Sequence, residues 1–184
     1  MRRDFLVALA ACAWSVSSQA QDPVQAFETV RQVLQHPRCQ NCHIPGNAPL
    51  QYDEGRPHAM KVQRGRDGHG AVGMKCASCH QRSNLPAEYG LRAPPGAPNW
   101  HLPPENMKMV FIGLSAPELC RVLKDPKSNG GKPPAQLIKH VAEDALVLWG
   151  WAPGGDRAPV PVPHAQFVAA FKEWVTGGMP CPAR

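Results

Sequence analysis

One five-residue pattern, used twice, limits what this chain can fold into. Cys39-Gln40-Asn41-Cys42-His43 and Cys76-Ala77-Ser78-Cys79-His80 both read Cys-x-x-Cys-His, and they begin 37 residues apart. Two intervening residues set the thiols one short turn apart, where both reach the vinyl groups on one edge of a porphyrin. The adjoining histidine then lies under the ring and ligates its iron. The expectation is two haem c groups, attached through Cys39, Cys42, Cys76 and Cys79, with His43 and His80 as proximal iron ligands. The spacing leaves too little chain for two single-haem cytochrome domains in tandem. A single domain around two close haems follows, with the porphyrins supplying much of the buried area and folding linked to their insertion. Four thiols in two knuckles would also suit tetrahedral zinc. Zinc does not need the histidine that follows both pairs, and no βαβ context supports a thioredoxin-like dithiol.

The N-terminus points to export. Met1-Arg2-Arg3-Asp4 precedes an apolar run from Phe5 to Val16, then Ser18-Gln19-Ala20. This order of charged, apolar and small residues predicts a secretory signal over 1–20, a mature domain over 21–184 and a periplasmic location. Leu9-Ala10-Ala11-Cys12 offers a lipid anchor at Cys12 as the lesser alternative. The apolar run is short of the roughly 20 residues that span a bilayer, and no later segment is long and apolar enough. Cleavage removes two arginines and one aspartate, so the net charge of +6 falls by one. Haem propionates, about −2 per haem at neutral pH, would nearly cancel the rest. The basic residues are scattered, with no basic helix face interleaved with aromatics, which argues against nucleic acid. Of seven cysteines, Cys120 and Cys181 are left over in the mature chain, and an oxidising compartment predicts a disulfide between them.

With 21 prolines and 16 glycines in 184 residues, regular elements must be short. The pattern predicts a mainly α, loop-rich domain with four or so short helices. The first starts at Asp22-Pro23, carries Ala26, Val30, Val33 and Leu34 on one stripe and ends near His36-Pro37. Ser115-Ala116-Pro117-Glu118 is a capping box opening a helix that stops at Asp125-Pro126. Pro134 opens a third, with Leu137, Ile138, Val141, Ala145 and Leu146 inward. The last runs from about His164 to a C-cap at Gly177-Gly178. Residues 44–75 and 81–106 read as loop, and no run alternates long enough for a sheet.

Each iron has a sixth position. Histidine there gives a low potential, and methionine raises it. The first choice is His58, in the loop between the motifs, where it could swing over either ring. The second is His140, in an otherwise apolar helix, and His101 follows. Met107 and Met109 read as core, Met179 as a weaker ligand, and His69 as exposed. Trp100, Trp149 and Trp151 suit packing against porphyrin.

Several segments together resemble a group of bacterial dihaem proteins labelled as a cytochrome-like subunit of isoquinoline 1-oxidoreductase. They are the first haem motif, Val62-Gln63-Arg64-Gly65, Ala93-Pro94-Pro95-Gly96-Ala97-Pro98, Glu118-Leu119-Cys120, Leu123-Lys124-Asp125-Pro126 and Leu148-Trp149-Gly150-Trp151. The resemblance implies an electron-transfer subunit whose partner is a molybdenum hydroxylase with iron–sulfur clusters. This chain has no iron–sulfur cysteine set, so hydroxylation chemistry would reside on that other polypeptide. The competing expectation is a small dihaem peroxidase with one open distal site, for which the sequence selects no acid–base residue. A haem-based sensor is a third, and no signalling domain supports it.

Overall fold

Asp22 opens the first helix: its carboxylate accepts a bond from Val24 N at 2.9 Å, with Pro23 at the first helical position. The computed structural model describes residues 22–183, so the signal expected over 1–20, with Cys12, lies outside the described residues. Helix α1 spans Pro23–Leu34 and buries Ala26, Phe27, Val30, Val33 and Leu34. A single turn, α2 (Pro37–Gln40), follows. Strands β1 (Leu50–Gln51) and β2 (Arg56–Pro57) make a small antiparallel hairpin that the sequence pattern did not foresee. Then come α3 (Ala116–Lys124), α4 (Pro126–Asn129), α5 (Pro134–Glu143), α6 (Ala145–Leu148) and α7 (His164–Thr176).

The four longer helices, α1, α3, α5 and α7, are those the sequence predicted, and the molecule is mainly helical. α7 lies along α1 and against α5, while α3 meets α1. Phe27, Phe167, Phe171 and Trp174 form the aromatic centre, with Phe27 and Trp174 ring centroids 5.1 Å apart. Beyond α7, Gly178 takes a left-handed φ of 88° and turns the chain back, so that Trp174 Nε1 donates to Pro180 O at 2.9 Å. Cys181 thereby meets the fully buried Cys120 and is bonded to it, with Cα atoms 5.6 Å apart.

One helix differs from expectation. The stripe from Pro134 suggested one helix carrying Leu137, Ile138, Val141, Ala145 and Leu146 inward. α5 ends at Glu143 instead, because the Asp144 side chain accepts from Leu146 N (2.8 Å) and starts α6. A short polar side chain that bonds to the local backbone competes with continuing the helix. Ala145 is consequently exposed. Among the described residues no helix is long and apolar enough to cross a membrane.

Candidate functional site

Both motifs fold into the same single turn. In the first, the amides of Cys42 and His43 donate to Cys39 O at 3.2 Å each; in the second, those of Cys79 and His80 donate to Cys76 O at 3.1 and 3.0 Å. Each turn thus projects two thiols and one imidazole from five residues of backbone. α2 starts the first turn, where His36 Nδ1 accepts from Arg38 N (3.3 Å) and Pro37 fixes the first φ. A 3-10 turn over Cys76–Ser78 makes the second.

The two histidines are held alike. His43 Nδ1 donates to Met109 O and His80 Nδ1 donates to Pro95 O, both at 2.7 Å. A carbonyl can only accept, so the proton is on Nδ1 and the lone pair is left on Nε2. This outer hydrogen bond is what fixes a metal-ligating histidine in its tautomer. Each ring is also flanked by an aromatic: Phe111 stacks on His43 at 3.8 Å and Trp100 on His80 at 4.3 Å. Burial drives His43 down to about 4, against the raising effect of the Met109 carbonyl, and lowers His80 as well. Both are neutral bases at neutral pH.

The first motif opens on a cavity of about 190 Å³, where one water needs only ~10–15 Å³ on this measure. Cys39, Cys42 and His43 line it, with Trp100, Met107, Met109, His140, Trp149 and Trp151 among the other walls. Burial pushes the Cys39 thiol up to about 12 and that of Cys42 to about 11. Thiols so held are protonated and poor metal thiolates. The two sites adjoin, since Cys76 is near enough to raise Cys42 further.

Two buried arginines, to which sequence reasoning gave no role, lie beside the first motif. Arg64 is fully buried and donates to the carbonyls of Ile44, Gly46 and Pro103. Arg38 pairs with Asp53 and lies over Trp149 at 5.8 Å. The Nε atoms of both are buried without a partner. The signal available was an arginine beside the first cysteine and another in a glycine-rich loop, which is weak.

The candidate distal ligands fall in different places. The His58 ring lies 6.2 Å from that of His80, and its Nδ1 donates to Ala59 O (2.7 Å). His140 and His101 both line the first cavity, with Nδ1 of His140 3.3 Å from Asp144 Oδ2 and Nδ1 of His101 donating to Asn99 O (2.6 Å). His69 uses both ring nitrogens, on Asp67 O and Asn99 Oδ1 at 3.0 Å each, and stacks on His101. Met107 and Met109 face the cavity without forming a regular element, and Met179 packs against the helical core.

The donor set fits porphyrin better than zinc. Among the described residues no three His, Cys, Asp or Glu side chains converge as a metal cluster. A tetrahedral zinc site needs four such ligands, whereas haem iron takes four from the ring and as few as one from the chain. The cavity's apolar walls, its two thiols, the bare Nε2 of His43 and the orphaned Arg38 Nε all suit a flat apolar group that carries carboxylates. No family model, curated protein or solved structure matches this chain.

Proposed function

We propose that this chain is an electron-transfer protein carrying two covalent c-type haems. Cys39 and Cys42 hold the first, Cys76 and Cys79 the second, and His43 and His80 ligate the two irons. Each haem would supply a one-electron iron couple. The observation that carries this reading is the repeated arrangement of the two histidines, each with Nδ1–H on a backbone carbonyl and an aromatic ring stacked on its face. That arrangement keeps Nε2 available and holds the ring in one orientation, so little rearrangement accompanies a change of charge nearby.

The resemblance to the isoquinoline 1-oxidoreductase subunits suggests a molybdenum hydroxylase-type dehydrogenase as donor and a respiratory acceptor. The expected signal and the Cys120–Cys181 bond favour the periplasm. The peroxidase-like alternative draws on one feature, the roomy first cavity with the His140–Asp144 pair at its wall.

The test is the mature protein made where haem-attachment machinery is active. The expected product is coloured, exceeds its polypeptide mass by two haems, and exchanges electrons without turning over peroxide. Colourless protein of bare polypeptide mass overturns the reading. Rapid peroxide turnover, with carbon monoxide binding to the native ferrous form, favours the alternative.

A further inference from the structure

Resting on the dihaem reading, we infer that His58 is the second axial ligand of the iron bound by His80, and that the first motif builds the arm that delivers it. The separation of the rings carries the argument. A metal–imidazole bond is about 2.0 Å and a ring nitrogen lies about 1.2 Å from its ring centre, so two imidazoles on opposite sides of one metal have centroids roughly 6.3 Å apart. The His58 and His80 centroids are 6.2 Å apart, with planes 62° to each other. Ring planes that share an axis through one metal can meet at any angle, so this twist is compatible with axial ligation. Both rings have committed Nδ1–H to a backbone carbonyl, Ala59 O and Pro95 O. The lone pair left on each is Nε2.

The ring of His101 is stacked on His69, which is not a proximal ligand in this reading. The two rings lie 5.1 Å apart and near-parallel, and both nitrogens of His69 are already bonded. His140 lines the cavity of the other motif.

The delivery arm is the β1–β2 hairpin. His58 directly follows β2, and its amide donates to Pro49 O at 3.0 Å. Residues of the first motif and Arg38 beside it fasten this hairpin at three points. Leu50 N donates to Asn41 O (2.9 Å), Asn41 Nδ2 donates to Tyr52 O (2.7 Å), and Arg38 pairs with Asp53. Asp53 also accepts from Ala158 N (3.1 Å). Asn41 lies inside the first Cys-x-x-Cys-His, and Arg38 directly precedes it. After His58 the chain takes left-handed φ at two consecutive non-glycine residues, Met60 (62°) and Lys61 (53°). That conformation is costly for L-residues, and the turn it makes follows directly on His58. Asn41, Arg38 and Asp53 are thus positioning residues for a ligand of the second haem.

The experiment compares the haem-loaded wild-type protein with His58→Ala, His58→Met and Asp53→Asn, after mass and colour have established two haems in each. A protein without haem overturns the dihaem reading, and this inference with it, before any variant is compared. Wild-type ferric protein should show the strongly anisotropic low-spin resonance of twisted axial imidazoles. In His58→Ala one of the two haems should turn high-spin, the ferrous protein should gain one carbon monoxide per molecule, and added imidazole should restore the low-spin signal. Carbon monoxide on the vacated iron should move the ring resonances of Trp100, which stacks on His80, and leave those of Phe111, which stacks on His43. His58→Met keeps a ligand in place should the alanine variant fold poorly, and it should raise the potential of one haem alone. Asp53→Asn should give a partial high-spin fraction that imidazole abolishes. Two haems that stay low-spin in His58→Ala, or a response at Phe111 in place of Trp100, would overturn the assignment.

Discussion

The two motifs share backbone, tautomer and stacking, yet they sit in unlike surroundings. The first faces the helical core: Val33 and Leu34 of α1, Leu123 of α3, Leu137 and Val141 of α5, and Phe167 and Phe171 of α7 all line its cavity. The second is built from loops. Cys79 is exposed, and the large apolar side chains nearby in the chain are exposed too, Val72 at 98% and Met60 at 74%. Apolar area left in water gains only when something covers it, at roughly 25 cal/mol per Å². On the dihaem proposal, the same attachment chemistry would serve two structural ends: one haem would complete a core, and the other would organise a loop region that lacks one.

The largest effect should come from removing each attachment in turn. At roughly 24 cal/mol per Å³ of cavity, leaving about 190 Å³ unfilled costs about 4–5 kcal/mol. Cys39→Ala/Cys42→Ala should lose stability on that scale in urea, with all four long helices unfolding earlier. Cys76→Ala/Cys79→Ala should leave the unfolding free energy read from helical signal within about 1 kcal/mol of the parent, while amide exchange speeds up across residues 50–75. Equal losses from the two pairs would break the distinction between core haem and loop haem.

A second effect tests the first region alone. The Cys120–Cys181 bond spans a separation of 61 residues and ties α3 to the tail beyond α7. Cross-links of this span contribute about 2–4 kcal/mol. Cys120→Ser/Cys181→Ser should lower thermal stability by that amount and leave the spectrum of the second haem unchanged. A change at the second haem would show that the two regions unfold as one.

What the sequence disclosed follows the same division. The four core helices were readable because apolar stripes and caps are local signals: Asp22-Pro23, the Ser115–Glu118 box and the glycines after α7 all act within a turn. The disulfide was readable by counting cysteines. The break at Asp144 was missed because a mid-stripe aspartate is outweighed by apolar period until its cap is seen. Around the motifs and the hairpin the deciding contacts are non-local and mostly backbone. Pro95 O on His80, Asn41 O on Leu50 N, and Arg64 on the carbonyls of Ile44, Gly46 and Pro103 have no periodic signature. His58 stood out only as a histidine between motifs, and nothing in the sequence chose which motif it would serve.

The smallest effect concerns α3, which carries Leu119, Cys120 and Leu123 into the core. Its capping box is complete: Glu118 Oε2 accepts from the Ser115 amide at 2.8 Å, and the Ser115 side chain accepts from the backbone of the third helical residue. The Ser115 hydroxyl also bonds Glu118 Oε2 at 2.5 Å, and the two Ser115 bonds hold the carboxyl below its ordinary value of 4.5. A depressed folded-state pKa means that the bond stabilises the ionised form. Its contribution is complete above pH 4.5 and fades as pH falls through the folded value. Ser115→Ala should cost about 1 kcal/mol at neutral pH, as lost caps do. Glu118→Gln should remove part of the acid sensitivity of unfolding without altering either haem spectrum. Both shifts should register in urea titrations of helical signal and be absent from exchange rates over residues 50–75, because the box feeds the helical region alone. If Ser115→Ala instead accelerates exchange around His58, then α3 and the hairpin share one cooperative unit and the two regions are not separable.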